Sequence, residues 1–228
     1  MPFIFSFLRW SGLAWPGPLF LAAVLVMLGG TASRAHPHVF VESRSELVFD
    51  KQGDVVAVRQ VWRFDGPFTA FALQGLDTDG DGKYSDDELR PLAKVNVNSL
   101  KEYDYFTFLQ VGGKDVYFVD PKEYWLEFAG GRLTLFFTLP VKKKVAGRKT
   151  ALQVFDPEYF VAFELAKTDP FLLDNAPKGC AMRYQRAPDP DVAIAQALAS
   201  IPASKRKIPD KLKKVTETLA NTAFIDCP

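Results

Sequence analysis

Apolar and polar residues alternate from Val39 to Phe49 and again from Val55 to Phe64, with Asp50-Lys51-Gln52-Gly53-Asp54 between them. Two period-2 runs around a glycine-containing turn predict a β-hairpin. The periodicity then becomes helical, roughly over Phe68 to Leu76 and Asp86 to Glu102, on either side of an acidic stretch. From Tyr105 the strand pattern resumes at Phe106 to Val111, Val116 to Val119, Tyr124 to Phe128, Leu133 to Leu139, Leu152 to Phe155 and Tyr159 to Leu165. The turn signals are Gly112-Gly113, Asp120-Pro121, Gly130-Gly131, the basic Lys142 to Arg148 stretch and Asp156-Pro157. Short strands at regular spacing predict an α+β fold, mainly antiparallel β, built as a sandwich or barrel-like sheet with a helix pair inserted after the second strand. Beyond Asp169 the chain is rich in proline and alanine. Asp191 to Ser200 and Asp210 to Asn221 predict short helices, separated by the basic, proline-punctuated linker Ala203 to Pro209.

The start of the chain reads differently. Arg9 supplies positive charge, Leu19 to Leu28 is an apolar core, and Ser33-Arg34-Ala35 is a small-x-small cleavage site, so residues 1–35 are expected to be a secretory signal and His36 the first mature residue. An uncleaved anchor is the alternative, since Phe3 to Leu8 is also apolar. Arg9, Pro16 and Pro18 interrupt the run of about 20 apolar residues that a spanning helix needs. The mature protein is therefore expected not to span a membrane. A β-rich domain at 36–186, with the helix-pair insertion at 67–102, would be followed by a helical C-terminal segment at 187–228 packed on the same domain.

With 228 residues, 48% of them hydrophobic and 14% aromatic, the chain has apolar material for one core and a small appendage. Losing Arg9 and Arg34 with the leader would turn a formal charge of +1 into about −1, which argues against a nucleic-acid footprint. The cysteines are Cys180 and Cys227 alone, and neither belongs to a metal-type Cys-x-x-Cys pair. In an oxidising compartment the economical reading is a disulfide that ties the C-terminal tail to the domain body, with two buried free thiols as the alternative.

The strongest chemical signal is Asp77-Thr78-Asp79-Gly80-Asp81-Gly82-Lys83-Tyr84-Ser85-Asp86-Asp87-Glu88. It fits the EF-hand calcium loop: Asp77, Asp79 and Asp81 offer carboxylate oxygens, Gly82 permits a sharp bend, and the carbonyl of Lys83 turns inward. Ser85 would act directly or through water, and Glu88 would close the sphere with both oxygens, which favours Ca²⁺ over octahedral magnesium. Ser85 to Glu88 is also a capping box, so the exit helix would begin inside the loop. An acidic, solvated turn is the plainer reading, but it would tolerate any order of Asp, Gly and Ser. Two features depart from an ordinary EF-hand. Pro91 should kink or restart the exit helix, and no partner loop occurs in the chain, so the loop must lean on the sheet or on a second molecule. Affinity in the weak extracellular range, roughly 10⁻⁴ to 10⁻³ M, and a structural role follow.

A second signal is positional. The two histidines, His36 and His38, would become the first and third residues after cleavage. The α-amine and imidazole of His36 would chelate copper, nickel, cobalt or zinc, with His38 adding a nitrogen. Pro37 excludes the square-planar motif that needs a deprotonated second amide. His-Pro-His also simply fits the start of a strand. For catalysis the sequence offers little: no third histidine is present, and nothing around Ser43, Ser45 or Ser99 resembles a nucleophile elbow. The Gly-Gly pairs are hairpin turns rather than phosphate cradles. Aromatic residues such as Trp62, Phe64, Tyr124, Trp125, Phe136 and Phe137 read as core.

His36-Pro37-His38-Val39-Phe40-Val41, Trp62-Arg63-Phe64-Asp65 and Val154 to Phe163 resemble a family of bacterial periplasmic proteins, domain of unknown function 1007. Gly179-Cys180 and Asp226-Cys227-Pro228 fit it too. The family is often labelled the periplasmic component of an uncharacterised ABC-type transport system. The resemblance covers essentially the whole mature chain and implies a periplasmic location. Members often accompany inner-membrane transporters of the nickel/cobalt type, which implies metal traffic, no enzymatic activity and no catalytic residue to carry over. Three readings follow: a calcium-binding accessory protein of a transition-metal transport system, a calcium-stabilised envelope interaction module without cargo metal, and a copper enzyme using the His36 amine.

Overall fold

The computed structural model describes residues 37–202, 205 and 207–228. The expected signal segment, its cleavage site and His36 lie outside the described residues. In chain order the elements are β1 (Val39–Phe49), β2 (Asp54–Phe64), α1 (Gly66–Ala72), α2 (Asp86–Leu100), a 3-10 turn (Lys101–Phe106), β3 (Thr107–Val111), β4 (Lys114–Val116), β5 (Tyr124–Ala129) and β6 (Arg132–Ala146). There follow β7 (Thr150–Val154), β8 (Val161–Leu165), β9 (Phe171–Asp174), β10 (Ala181–Gln185), α3 (Val192–Ala199), α4 (Asp210–Thr216), a second 3-10 turn (Glu217–Leu219) and β11 (Asn221–Asp226).

The expected hairpin is present: β1 and β2 pair antiparallel from Val41↔Phe64 to Phe49↔Val55. At its turn the Asp50 carboxylate accepts from the backbone N–H of Gln52 and Asp54. Gly53 has φ 82°, and a Cβ there would meet Pro177 Cγ at 2.8 Å, so both conformation and space require glycine. The hairpin anchors one open sheet of order β5-β6-β2-β1-β8, with β9 also on β1, and a second sheet has the order β10-β11-β7-β3-β4. The α+β class holds, as two sheets and no closed barrel.

An 11-residue strand such as β1 is longer than either partner layer can cover, and the alternating inner face of the first sheet is shared between two cores. At one end Leu47, Phe49, Val55 and Val58 pack with Leu109, Leu152, Ala223 and Ile225 of the second sheet. At the other, Val41, Trp62, Leu126, Leu135 and Phe137 pack with Leu89, Ala93 and Val97 of α2. The helix pair therefore does the covering where the second sheet stops.

The structure corrects the strand reading in four places. β8 and β9 run parallel to β1, end to end along its outer edge. The outer carbonyls of β8 are met by side chains: Phe163 O accepts from Asn221 Nδ2 at 2.7 Å and Leu165 O from Arg186 at 2.8 Å. β6 does not end at Leu139 but continues through Pro140 and the lysines, with pairing carried to Asp54↔Ala146. Pro140 lies beside a register shift in β2, where an absent N–H is tolerated, and Lys144 reaches Asp50 at 2.7 Å. The expected Val116–Val119 strand lies earlier, at Lys114–Val116, with Phe118 making a single bridge to Val141. Finally, the helix expected to reach Asn221 stops at Thr216, and the tail becomes β11, a middle strand of the second sheet flanked by β10 and β7.

Between α2 and β3 the chain makes a costly turn. Asp104, Tyr105 and Phe106 are successive non-glycine residues in the left-handed region, with φ 50°, 53° and 48°, a conformation costing roughly 1–3 kcal/mol per residue. Hydrogen bonds hold it. Tyr105 O accepts from Thr107 Oγ1 at 2.9 Å, and Thr107 Oγ1 accepts from Gln60 Nε2 at 3.0 Å. Gln60 Oε1 in turn accepts from Ser45 Oγ and the indole N–H of Trp62. The Tyr105 hydroxyl donates to Asp120 at 3.0 Å. Burial, and then the neighbouring Asp120 carboxylate, push the Tyr105 phenol up to about 12.

Candidate functional site

The acidic loop is placed by its flanking helices. Asp65 directly follows β2 and caps α1, its carboxylate accepting from Phe68 N and also from Phe40 N, each at 2.7 Å. Asp followed by Gly-Pro is a helix-start signature that the sequence reading passed over. Asp65→Ala is expected to cost about 1 kcal/mol, seen as a lower urea midpoint with an unchanged slope. The exit side follows the capping-box expectation: Ser85 Oγ accepts from Glu88 N while the Glu88 carboxylate accepts from Ser85 N. α2 runs unbroken through Pro91, so the expected restart does not occur.

Within the loop, backbone N–H groups wrap the aspartates. Asp77 accepts from Gly80 N and Gly82 N at 2.8 and 3.1 Å, Asp79 from Asp81 N at 3.1 Å, and Asp81 from Lys83 N at 2.7 Å. Gly80 and Gly82 have φ 75° and 76°, so the reversals use backbone that other residues rarely adopt. The result brings one carboxylate oxygen each of Asp77, Asp79 and Asp81 within 4.8 Å of one another, with Asp79 and Asp81 exposed.

Glu88 stands outside that cluster. One of its oxygens accepts from Thr78 N and Oγ1 at 2.7 and 2.8 Å, and the other from Ser85 N and Oγ, both at 2.9 Å. These bonds, led by the Ser85 and Thr78 backbone N–H groups, lower its pKa to about 2, so the carboxyl stays ionised at any ordinary pH. Thr78 is the residue the sequence reading missed: it ties the second loop position to the twelfth. Tyr84 is another, its ring meeting Phe128 of β5 edge-on at 5.1 Å. The loop thus leans on the sheet.

His38 lies just before β1, its N–H donating to Phe160 O at 2.9 Å and its ring stacked on that of Phe160 at 4.5 Å. Cys180 and Cys227 form a disulfide, with Cα atoms 4.1 Å apart, beside the Ala181↔Asp226 pair of β10 and β11. The Asp156-Pro157-Glu158 stretch is a turn built on a buried aspartate: Asp156 accepts from the N–H of Glu158, Phe160 and Val161, and the half-buried Glu158 accepts from Ile208 N at 2.7 Å. Among the described residues no helix is long and apolar enough to cross a membrane.

Two open sheets, a helix–acidic loop–helix insertion resting on the first, and a disulfide locking the last strand define the class of protein. A family model described as "Protein of unknown function (DUF1007)" matches residues 21–227, and the chain belongs to that family. A Spirochaeta aurantia protein, described as an uncharacterized 15.5 kDa protein in the trpE 3' region, is 33% identical over 98 residues, which is 42% of this chain and 70% of that protein. An uncharacterized protein of Haemophilus influenzae is 23% identical over 182 residues, covering 78% of this chain and 85% of that protein. The family likeness read from the sequence is confirmed.

Proposed function

We propose that this is an exported, non-enzymatic calcium-binding protein that serves as an accessory of a transition-metal transport system. The observation that carries the calcium part is the convergence of Asp77, Asp79 and Asp81 in a loop that ends with an ionised Glu88 at its twelfth position. Oxygen-only donors suit a hard divalent cation, and a longer donor set favours calcium over magnesium. Asp77, Asp79, Asp81 and Glu88, with the carbonyl of Lys83 and Ser85 or its water, would hold the ion. Calcium would there neutralise the carboxylates and fix α1 and α2 on the sheet. Export is supported by the leader pattern and by the disulfide, which persists in oxidising compartments. The transport role rests on the company the family keeps.

Cargo binding would fall to the mature terminus, where the α-amine and imidazole of His36 form the strongest donor pair. Protein processed to begin at His36 is expected to bind copper or nickel, whereas a version with an extra leading Met binds much more weakly. Isothermal titration compares them, and equal affinity would remove this site. Metal analysis of natively purified, signal-cleaved protein separates the readings. Calcium with a transition metal supports the accessory role; calcium alone supports an envelope interaction module.

A further inference from the structure

The end of the first sheet away from the acidic loop carries charge of the opposite sign. β2 starts there at Asp54 and finishes beside α1, so at about 3.3 Å per strand residue the two ends lie roughly 30 Å apart. Three turns gather at this end. Gly147 N of the β6–β7 turn donates to Gly53 O of the β1–β2 turn at 3.4 Å, and Gly112 N of the β3–β4 turn donates to Lys149 O at 3.1 Å. Together they bring up Lys51, Lys114, Arg148 and Lys149, all exposed.

β6 adds three more lysines through an irregularity in its pairing. Between the pairs Ala57↔Pro140 and Val55↔Val145, the residues Val141 to Lys144 stand opposite Val56 alone. The surplus chain bulges from the ladder, and Lys142, Lys143 and Lys144 are all exposed. Lys142 N donates to Tyr117 O at 2.7 Å, which sets Tyr117, 68% exposed, beside them. The carboxylates in these turns belong to Asp50, Asp54 and Asp115. Among the described residues Lys144 alone of the seven basic side chains is ion-paired, with Asp50. Lys178 and Asp226, beside the same end, offset each other.

We propose that this basic end docks on an anionic phospholipid bilayer, with the acidic loop turned away from it. The mature chain is expected to carry a side-chain charge of about −1, which by itself would not draw it to such a surface. Range decides the matter: charges are screened beyond about 8 Å at physiological ionic strength, so a surface touching the basic end does not feel the acidic loop. Residue type selects the occupant. Six of the seven are lysines, compact charges on flexible stems that follow a mobile array of phosphates, whereas arginine forks suit carboxylates held in one geometry. Lysine is depleted from protein–protein interfaces, and an exposed tyrosine, apolar in body and polar at its tip, suits the headgroup boundary. The docking requires neither calcium nor a transport partner.

The test is co-sedimentation of the mature protein with sucrose-loaded vesicles, in chelator so that calcium plays no part. Vesicles of phosphatidylcholine mixed with phosphatidylglycerol are expected to carry the protein down, and phosphatidylcholine alone to leave it in solution. Binding should weaken steeply as salt is raised. Each basic residue near an anionic surface favours binding by about fivefold, so Lys142→Gln/Lys143→Gln should lose at least tenfold in affinity. Lys94→Gln/Lys211→Gln, which removes as much charge away from this end, should lose little. Should the first variant melt lower, acetylation of the unmodified protein decides: anionic vesicles should protect Lys142 and Lys143 and leave Lys94 and Lys211 reactive. Absence of sedimentation with the anionic vesicles, equal sedimentation with both kinds, or equal losses in the two variants overturns the proposal. Capture by an acidic protein without vesicle binding would do the same.

Discussion

Unfolding of the mature protein is expected at a higher temperature in millimolar calcium than in chelator. Asp77, Asp79 and Asp81 hold carboxylate oxygens within 4.8 Å of one another, and like charges at about 4 Å repel by on the order of 1 kcal/mol even in water. A cation that binds only the folded loop adds stability by mass action, about 1.4 kcal/mol at a concentration tenfold above its dissociation constant. For a chain of this size that corresponds to a rise of roughly 3 to 6 °C. Magnesium at equal concentration should do much less, because it favours six ligands in strict octahedral geometry. Glu88→Gln should abolish most of the calcium response, since the twelfth residue supplies two of the expected oxygens. Calorimetry of both proteins with and without calcium is the measurement. An unchanged melting temperature in the unmodified protein would remove calcium from the account.

The Cys180–Cys227 bridge is expected to have an effect of similar or larger size. It closes a sequence separation of 47 residues, for which the chain-entropy relation gives about 4 kcal/mol. Its position makes that stabilisation local as well as global. β10 is exposed along its whole length and pairs with β11 alone, whereas β11 also pairs with β7 and buries Ala223 and Ile225 in the core between the sheets. Without the bridge, β10 keeps the ladder to β11 and a few side-chain contacts, Arg183 over the Phe224 ring and Tyr184 with Phe171. Reduction, or replacement of both cysteines by serine, should lower the urea midpoint and expose the chain around β10 to protease before the rest unfolds. Equal midpoints with and without reductant would mean that strand pairing suffices.

The acidic loop at Asp77 is the part of the candidate site most fully readable from residues alone. The loop is contiguous, and each of its positions is constrained by backbone conformation or charge, so its order of Asp, Gly, Ser and Glu is a local statement. The lean of the loop on the sheet was foreseen in kind but not in its residues. Tyr84 meets Phe128 from 44 positions away in sequence, with α2 between them, and nothing in either neighbourhood announces the partner.

Strand identity was legible where alternation was long. β1 and β2 carry strict period-2 patterns and a turn between them, and their pairing follows from proximity in the chain. β8 and β9 are separated from β1 by more than a hundred residues, and their parallel registers are set by which edge of β1 stays open after β2 has taken the other. No local signal encodes that choice. β11 was not foreseen: the expected helix ended at Asn221, the tail after it was counted with a helical C-terminal segment, and only its place between β10 and β7 makes the extended form the better one.

What the sequence determined by itself is therefore what depends on neighbours along the chain: the hairpin, the capped helices, and an acidic loop whose glycines and carboxylates dictate their own geometry. The pairing of distant strands, the division of the first sheet's inner face between a second sheet and α2, and the left-handed turn were decided in three dimensions. Each of these depends on surfaces that meet only when the chain has folded, and burial, not local propensity, selects among the alternatives.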